Sequence, residues 1–440
     1  MKIPASPFKY YFVFIYKLQC RIMQIITDLH IHSSYSRAAS KGITIDKLTE
    51  YAKIKGLDIL GTGDFTHPVW LKNLEENLVE DGTGILKSKG GFNFILSTEI
   101  SSIYSQGKKL RRIHNIIITP GFETAKQINS LLRKKGVNLD ADGRPVCGIS
   151  CPELVDIIKS VDDRNEIIPA HIWTPWFSLF GSQSGFDRIE DCFQDRTKDI
   201  FALETGLSSD PPMNWRLSQL DRFTLVSFSD SHSFWPWRIG REATIFDLKK
   251  LDYKSIINAI RTKEGFFGTI EVNPAYGKYH FDGHRNCNIS LSPKEAIKLN
   301  NICPVCGRYL TIGVLHRVEE LADREEGFVP KNAKPFFSLI PLSEIIGFCL
   351  GVENLYSKSV WDVYNKLIKA FGSEFNVLLN VSKSDLEAVV DEKITNLIID
   401  IREGKVNIEP GYDGVYGKIL LNKENKKGLK RMQRSLKDFK

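Results

Sequence analysis

The stretch MQIITDLHIH, residues 23–32, decides how the rest of the chain is read. Its apolar run at 25–28 reads as a buried strand, and Asp28-Leu29-His30-Ile31-His32 closes it. Strand side chains alternate with a period of two, so His30 and His32 share one face. Six further runs of the same kind follow, at 58–62, 92–97, 114–119, 166–170, 200–204 and 224–229. Amphipathic helical patterns lie between them, such as 45–55 closed by Gly56 and 123–135 closed by Gly136, glycines placed where a left-handed cap is wanted. Strand–helix alternation implies an α/β fold with a parallel sheet, and about seven repeats point to a closed (β/α) barrel over 23–275. The competing arrangement is an open doubly wound sheet. No glycine-rich phosphate loop follows the first strand, which favours the barrel.

The 440 residues are too many for one small domain, and 42% hydrophobic with 26% charged residues fits neither disorder nor a membrane bundle. Residues 276–328 are rich in Tyr, His, Gly and Cys and contain a helix start with Ser292 at its N-cap, Pro293 next and Glu295 at its third position. Residues 329–422 read as mainly helical, clearest at 360–370 and 384–401, with a glycine-rich stretch at 404–417. Segment 423–440 is a basic tail, eight Lys and Arg against Glu424 and Asp438, and carries +6 of the formal +7. Residues 1–22 add Lys2, Lys9, Lys17 and Arg21 and read as an extension outside the fold, with Met23 as the start. That leaves the body slightly acidic, so a nucleic-acid surface has to be local, or supplied by the tail and by bound cations. No apolar run approaches the roughly 20 residues that span a bilayer, so no membrane partner is expected. Eight scattered cysteines, two of them as Cys303-Pro-Val-Cys306, suggest metal binding in a reducing compartment, the cytoplasm.

Side chains of metal-ligand type gather where the strands end. His30 and His32 end the first, Asp64 and His67 (GTGDFTHP) follow the second, Glu99 follows the third, and His114 opens the fourth. His171 ends the fifth and Asp230-Ser231-His232 ends the seventh. One histidine alone is usually an ordinary core or loop residue; ligand-type residues at six strand ends are not coincidence. Imidazoles with carboxylates suit zinc, manganese or iron, and Glu99 is placed to bridge two ions. Barrel enzymes work at the C-terminal ends of their strands, and paired divalent ions promote phosphoester hydrolysis.

These residues resemble the polymerase-and-histidinol-phosphatase (PHP) family of metal phosphoesterases over 23–275. The resemblance implies a distorted seven-stranded barrel with two or three divalent ions. One would sit on His30, His32, Glu99 and Asp230, a second on Glu99, His114 and His171, and a third on His232 with a residue of the second motif. The further family histidine after the first pair is missing between Ser33 and Ala39, so Asp64 and His67 stand in for it. It assigns the catalytic role to Asp230, His232, Glu99 and His171, with magnesium as an additional candidate ion.

His284-Arg-Asn-Cys287 followed by Cys303-Pro-Val-Cys306-Gly307 reads as a structural zinc ribbon, with His280 and His316 competing for the place of His284. A PHP barrel followed by such a ribbon and a helical end is similar to the endonuclease Q family, over 23–422, on GTGDFTHPVWL and CPVCGRYLTIGVLHRVEELADR. That resemblance implies a DNA repair endonuclease cutting on the 5′ side of deaminated bases (uracil, hypoxanthine) and of abasic sites. An enzyme that inspects a base has to unstack it, and Trp173, Trp176, Phe177, Phe234, Trp235 and Trp237, just after His171 and His232, are candidate stacking residues. Arg238 and Arg241 are candidate phosphate contacts. The aromatics also read as loop anchors. In the tail, Gln433, Leu436 and Phe439 match the core of a sliding-clamp binding peptide, with Lys440 where a second aromatic belongs; the other reading is a basic tail that neutralises phosphates. Two rival functions are a PHP phosphatase or exonuclease acting on small phosphoesters or DNA ends, and a non-enzymatic DNA-binding module with a degenerate metal site.

Overall fold

A computed structural model of the chain describes residues 22–420. The clamp-like Gln433, Leu436 and Phe439 and the N-terminal extension lie outside the described residues. All seven expected strands are present in a mixed α/β arrangement: β1 (Met23–Asp28), β2 (Ile59–Gly61), β3 (Asn93–Gln106), β4 (Lys109–Thr119), β5 (Glu166–Pro169), β6 (Ala202–Glu204) and β7 (Thr224–Val226). Five are short, β3 and β4 run to 14 and 11 residues, and the stretches of all seven that face the site are buried, as strands covered on both faces must be.

The expected parallel order holds for β1–β2, β2–β3 and β6–β7 and fails at β4, which runs antiparallel to both β3 and β5. The cause is local. Gln106 and Lys109 are joined by Gly107 and Lys108 alone, both at positive φ (60° and 61°), a two-residue turn whose twist matches a hairpin and leaves no room for a crossover helix. Two further strands, β8 (Ala243–Leu248) and β9 (Phe266–Glu271), extend the sheet antiparallel beyond β1. Main-chain bonds also run from the end of β5 to β6 (Ile172 N to Glu204 O, 3.1 Å) and from the end of β7 back to the end of β1 (His32 N to Ser231 O, 2.8 Å). These bonds link the strands that carry the candidate ligands into a ring. Within it, Glu99 and His114 lie in the middle of β3 and β4, not at the strand boundaries expected for them, because both strands run on into the hairpin.

Beyond β9, the hairpin Asp282–His284 with Ile289–Leu291 and the capped helix Pro293–Lys298 enclose a small core of Ile289, Leu291, Ala296, Cys303 and Leu310. The expected helix at 360–370 is Lys358–Phe371, whereas the one at 384–401 is two, Lys383–Glu387 and Glu392–Arg402, because Asp391 starts a new helix. The glycine-rich stretch pairs Asn407–Glu409 with Lys418–Leu420 and returns to the small core through Arg285 N on Asp413 Oδ2 (2.7 Å). No helix among the described residues is long and apolar enough to cross a membrane.

A buried ion pair joins the helical end to the helix that follows β1. Lys55, at the end of helix Ile45–Lys55, donates to Glu374 Oε1 (2.7 Å) and to the carbonyl of Pro236 (2.8 Å). Glu374 also accepts from Leu342 N (3.1 Å) and Tyr364 OH (2.8 Å), and both charged side chains are sealed from solvent. Removing one partner strands the other charge in the interior. Glu374→Ala should therefore lower the unfolding free energy by about 3–5 kcal/mol. Removing Glu153, whose pair with Lys135 is exposed, should change it by no more than about 1 kcal/mol. Equal losses in denaturant titrations of the two variants would contradict this role for the pair.

Candidate metal centre

Three of the site residues have left-handed backbone conformations: Asp64 (φ 49°), His171 (φ 31°) and Asp230 (φ 48°). Such conformations cost about 1–3 kcal/mol each and persist where the surroundings impose them. The constraint at Asp230 is visible. Asp28, at the end of β1, accepts from Ser229 N (3.0 Å), Ser229 Oγ (2.6 Å) and Gly240 N (2.7 Å), pinning both ends of the loop that carries Asp230 and His232. Burial pushes the Asp28 carboxyl up to about 6.

Glu99 is at the centre and fully buried. Its Oε1 is 2.8 Å from His114 Nδ1, 3.0 Å from His171 Nε2 and 3.6 Å from His30 Nε2. Its Oε2 is 2.9 Å from Arg144 Nη1 and 3.5 Å from His32 Nε2. Asp230 Oδ1 is 3.0 Å from His32 Nε2 and 3.6 Å from His30 Nε2. Two sets of donor atoms, each lying within 4.8 Å of one another, result: His30, His32, Glu99 and Asp230, and Glu99, His114 and His171. Glu99 belongs to both.

Carboxylates behind the rings fix their orientation. Glu204 accepts from His30 Nδ1 (2.9 Å) and from the backbone N of His171 (2.6 Å). Asp64 accepts from His32 Nδ1 (3.0 Å), Ser33 N (2.6 Å), Ser33 Oγ (2.6 Å) and Ser36 Oγ (2.9 Å). With Nδ1 donating, the Nε2 lone pairs of His30 and His32 face carboxylate oxygens, which is repulsive unless a proton or a cation lies between. His30 Nε2 is buried and has no hydrogen-bond partner. The donor set thus fits divalent ions, and the electrostatics agree. Burial alone would discharge His30 and His32, yet Glu204 and Glu99 around the first, and Asp64 and Asp230 around the second, hold both rings well above the ordinary histidine range. For Glu99, burial is likewise outweighed, here by His114 and Arg144, and the carboxyl lies well below its usual range. Burial drives His114 down, to about 4, and lowers His232 and His67 as well.

Not every expected ligand joins these sets. Asp64 directs its oxygens to His32, Ser33 and Ser36 and lies outside both sets. His67 stacks on Tyr35 (4.3 Å between ring centres) and precedes helix Pro68–Asn77, outside both sets. His232 is at the rim, its ring 4.3 Å from that of His32 and its Nδ1 donating to the Asp230 carbonyl (3.0 Å). Most of the expected stacking residues are anchors. Trp173 is buried with Nε1 on Asn214 Oδ1 (2.8 Å), and Phe234 is buried against Tyr51. Trp235 and Trp237 stack face to face (5.1 Å) and pack on Tyr356 and Trp361 of the helical end. Phe177 stays at the site, its ring centre 4.8 Å from that of His114, and Trp176 is 42% exposed, its ring edge-on to Tyr279. Arg238 is exposed; Arg241 is half-buried.

Away from β1–β9, His284, Cys287, Cys303 and Cys306 form a third donor set, with Cys306 Sγ 3.3 Å from His284 Nδ1. His316 is committed to Asp282 (2.6 Å), and His280 is buried apart from the cysteines against Phe281. Sequence reasoning missed Glu204 and Arg144. Glu204 closes one of the recognised apolar runs, a signal of the same kind as its neighbours; Arg144 lies in a loop with no pattern to find it by.

A family described as the MJ0043 C-terminal domain matches residues 341–405. The chain is 30% identical over 418 residues to the uncharacterised protein YqxK of Bacillus subtilis, covering 90% of this chain and 99% of that one. It is 34% identical over 252 residues to the uncharacterised protein MJ0043 of Methanocaldococcus jannaschii, covering 56% of this chain and only 31% of that longer protein. Among solved structures, the lesion-specific endonuclease PfuEndoQ from Pyrococcus furiosus superposes with a TM-score of 0.82 at 31% identity, covering 94% of this chain and all of that one. An endonuclease Q complex with a 27-mer duplex carrying an abasic lesion at its active site superposes with a TM-score of 0.81 at 31% identity, covering 95% of this chain and 100% of that one.

Because Glu204 holds His30 and the His171 backbone together, Glu204→Gln should weaken both ligand sets. Outer-shell partners of this kind are worth about 10–100-fold in metal affinity. Competition against a chromophoric chelator measures it. An unchanged affinity would mean that Glu204 does not orient the ligands.

Proposed function

The chain belongs to the endonuclease Q family, and from that premise we propose that it is a metal-dependent DNA repair endonuclease acting at damaged nucleotides, hydrolysing the phosphodiester on the 5′ side of uracil, hypoxanthine or an abasic site. The observation that carries the reading is the pair of ligand sets sharing Glu99, set in a ring of strands that we read as a distorted seven-stranded barrel. His30, His32, Glu99 and Asp230 would hold one divalent ion and Glu99, His114 and His171 another, zinc, manganese or iron by the nature of the donors. Bound there, such ions supply positive charge for the phosphate oxygens and acidify water to near neutral pH.

The protein's own groups do the rest. Glu204 and Asp64 hold the imidazoles in one tautomer, with Nε2 turned inward. Asp230, 30% exposed, and His232, 29% exposed, open the site on one side, where a backbone phosphate can enter. With its Nδ1 on the Asp230 carbonyl, His232 has Nε2 left for a third ion or for the departing oxygen. Phe177, beside His114, and the exposed Trp176 next to it in the chain offer flat surfaces on which an extruded base or an empty sugar can rest. We assign His284, Cys287, Cys303 and Cys306 to a structural zinc that shapes the small core after β9.

Two expectations follow. The protein should nick labelled duplexes carrying uracil, hypoxanthine or an abasic site and leave undamaged duplex intact, with end-group analysis placing the cut 5′ of the lesion. Asp230→Ala should lower that rate at least about 100-fold through loss of a ligand, with duplex binding retained. Turnover of a small phosphodiester but not of lesion DNA would favour the phosphatase reading. Separately, Cys303→Ser with Cys306→Ser should lose one zinc per chain and melt at a lower temperature, since structural zinc contributes folding free energy directly. A double variant with parental zinc content and melting temperature would remove the structural-zinc assignment.

A further inference from the structure

The guanidinium of Arg144 sits against the buried Glu99, on a backbone that allows it one placement. Gly143 before it donates its N–H to the Tyr35 carbonyl (3.1 Å) and accepts from Thr66 Oγ1 (3.2 Å). A Cβ at Gly143 would lie 2.3 Å from Asp64 Oδ2 and 2.5 Å from Ser36 Oγ, so only glycine lets the loop come this close. Asp142 Oδ1 accepts from Arg144 N (3.1 Å) and Arg37 N (3.3 Å), and the Pro145 carbonyl accepts from Ser101 N on β3 (3.0 Å). The loop is thus tied to the same Asp64 and Ser36 that orient His32, and to the strand that carries Glu99.

The side chain is under-used in this position. Nη1 donates to Glu99 Oε2 (2.9 Å), and no other side-chain hydrogen bond of Arg144 is present among the described residues. It is 24% exposed while Glu99 is sealed, and it lies near enough to Asp230 and His232 for their charges to act on one another. A guanidinium offers five donors in a planar fork suited to phosphate. Charge leads to the same place. Once divalent ions occupy ligand sets that hold only Glu99 and Asp230 as carboxylates, a fixed cation next to them opposes the ions unless an anion joins them. A residue needed only to neutralise Glu99 would be a liability in the loaded site; a residue that receives an anion would not.

We propose that Arg144 binds the scissile phosphate directly, with its free N–H groups on a non-bridging oxygen opposite the ions. The proposal rests on the nuclease reading of this site. It names the side chain that holds the substrate's charge at the mouth between Glu99 and Asp230.

The test compares the metal-loaded parent with Arg144→Gln and Arg144→Lys on two abasic duplexes, by fluorescence anisotropy. In the first, a methylene replaces the departing 3′ oxygen 5′ of the lesion, so the linkage keeps its charge and resists cleavage. In the second, that linkage is a neutral methylphosphonate. Arg144→Gln should bind the charged duplex about tenfold more weakly than the parent and the neutral one equally well, with Arg144→Lys intermediate on the first. Metal content and melting temperature should match the parent. An equal loss on both duplexes, no loss on either, or departure of metal with the side chain would overturn the proposal, provided the parent cleaves an ordinary abasic duplex. A parent that does not cleave it overturns the nuclease reading, and the proposal with it.

Discussion

The fully buried Glu99 carboxylate is the constraint around which the rest is arranged. Taking one charge this far from water is expensive unless opposite charge surrounds it. Here four imidazoles and the Arg144 guanidinium surround it, contributed by the segments that follow β1 and β5, by the middle of β4 and by the loop before Pro145. No two of those groups are neighbours on one element except His30 and His32. The carboxylate can be satisfied only when four distant stretches of chain are in register, so the ring of strands and the site are one cooperative unit. Glu204 extends the same logic outward, since one carboxylate serves both His30 and the strained His171 backbone.

The helical end has a part in this geometry although it contributes no ligand. Through Lys55, Glu374 fixes the Pro236 carbonyl, and Tyr356 and Trp361 pack on Trp235 and Trp237 of the same loop. That loop starts at Asp230 and is closed by Asp28 at Gly240. The segment matched by the MJ0043 C-terminal domain family therefore buttresses the loop whose Asp230 and His232 are partly open to solvent. It explains why so many aromatics follow His232: Phe234, Trp235 and Trp237 are engaged in packing.

Much of this was legible in the sequence because the physics behind it is periodic. Seven apolar runs marked seven strands, and the period of two placed His30 with His32. What escaped was the information that periodicity does not carry. The reversal at Gly107 and Lys108 is set by two backbone angles, so a hairpin was read as a crossover. Spacing places Asp64 among the ligand-type residues but cannot show that its oxygens meet the ring of His32 and the hydroxyls of Ser33 and Ser36. The continuous pattern at 384–401 hid a break, because Val389 and Val390 keep packing on the core across it. Arg144 had no pattern at all: its place follows from Gly143 meeting Asp64, a contact between residues far apart in the chain.

The most direct test of the account is where ions bind. Crystals grown with manganese, and measured at the manganese and zinc absorption edges, locate each ion by anomalous scattering. The account predicts two manganese peaks about 3.5–4 Å apart on either side of the Glu99 carboxylate, one beside His30, His32 and Asp230 and one beside His114 and His171. It also predicts a separate zinc peak among His284, Cys287, Cys303 and Cys306. A map with no ion in contact with Glu99, or with its peaks on Asp64 and His67, would contradict it.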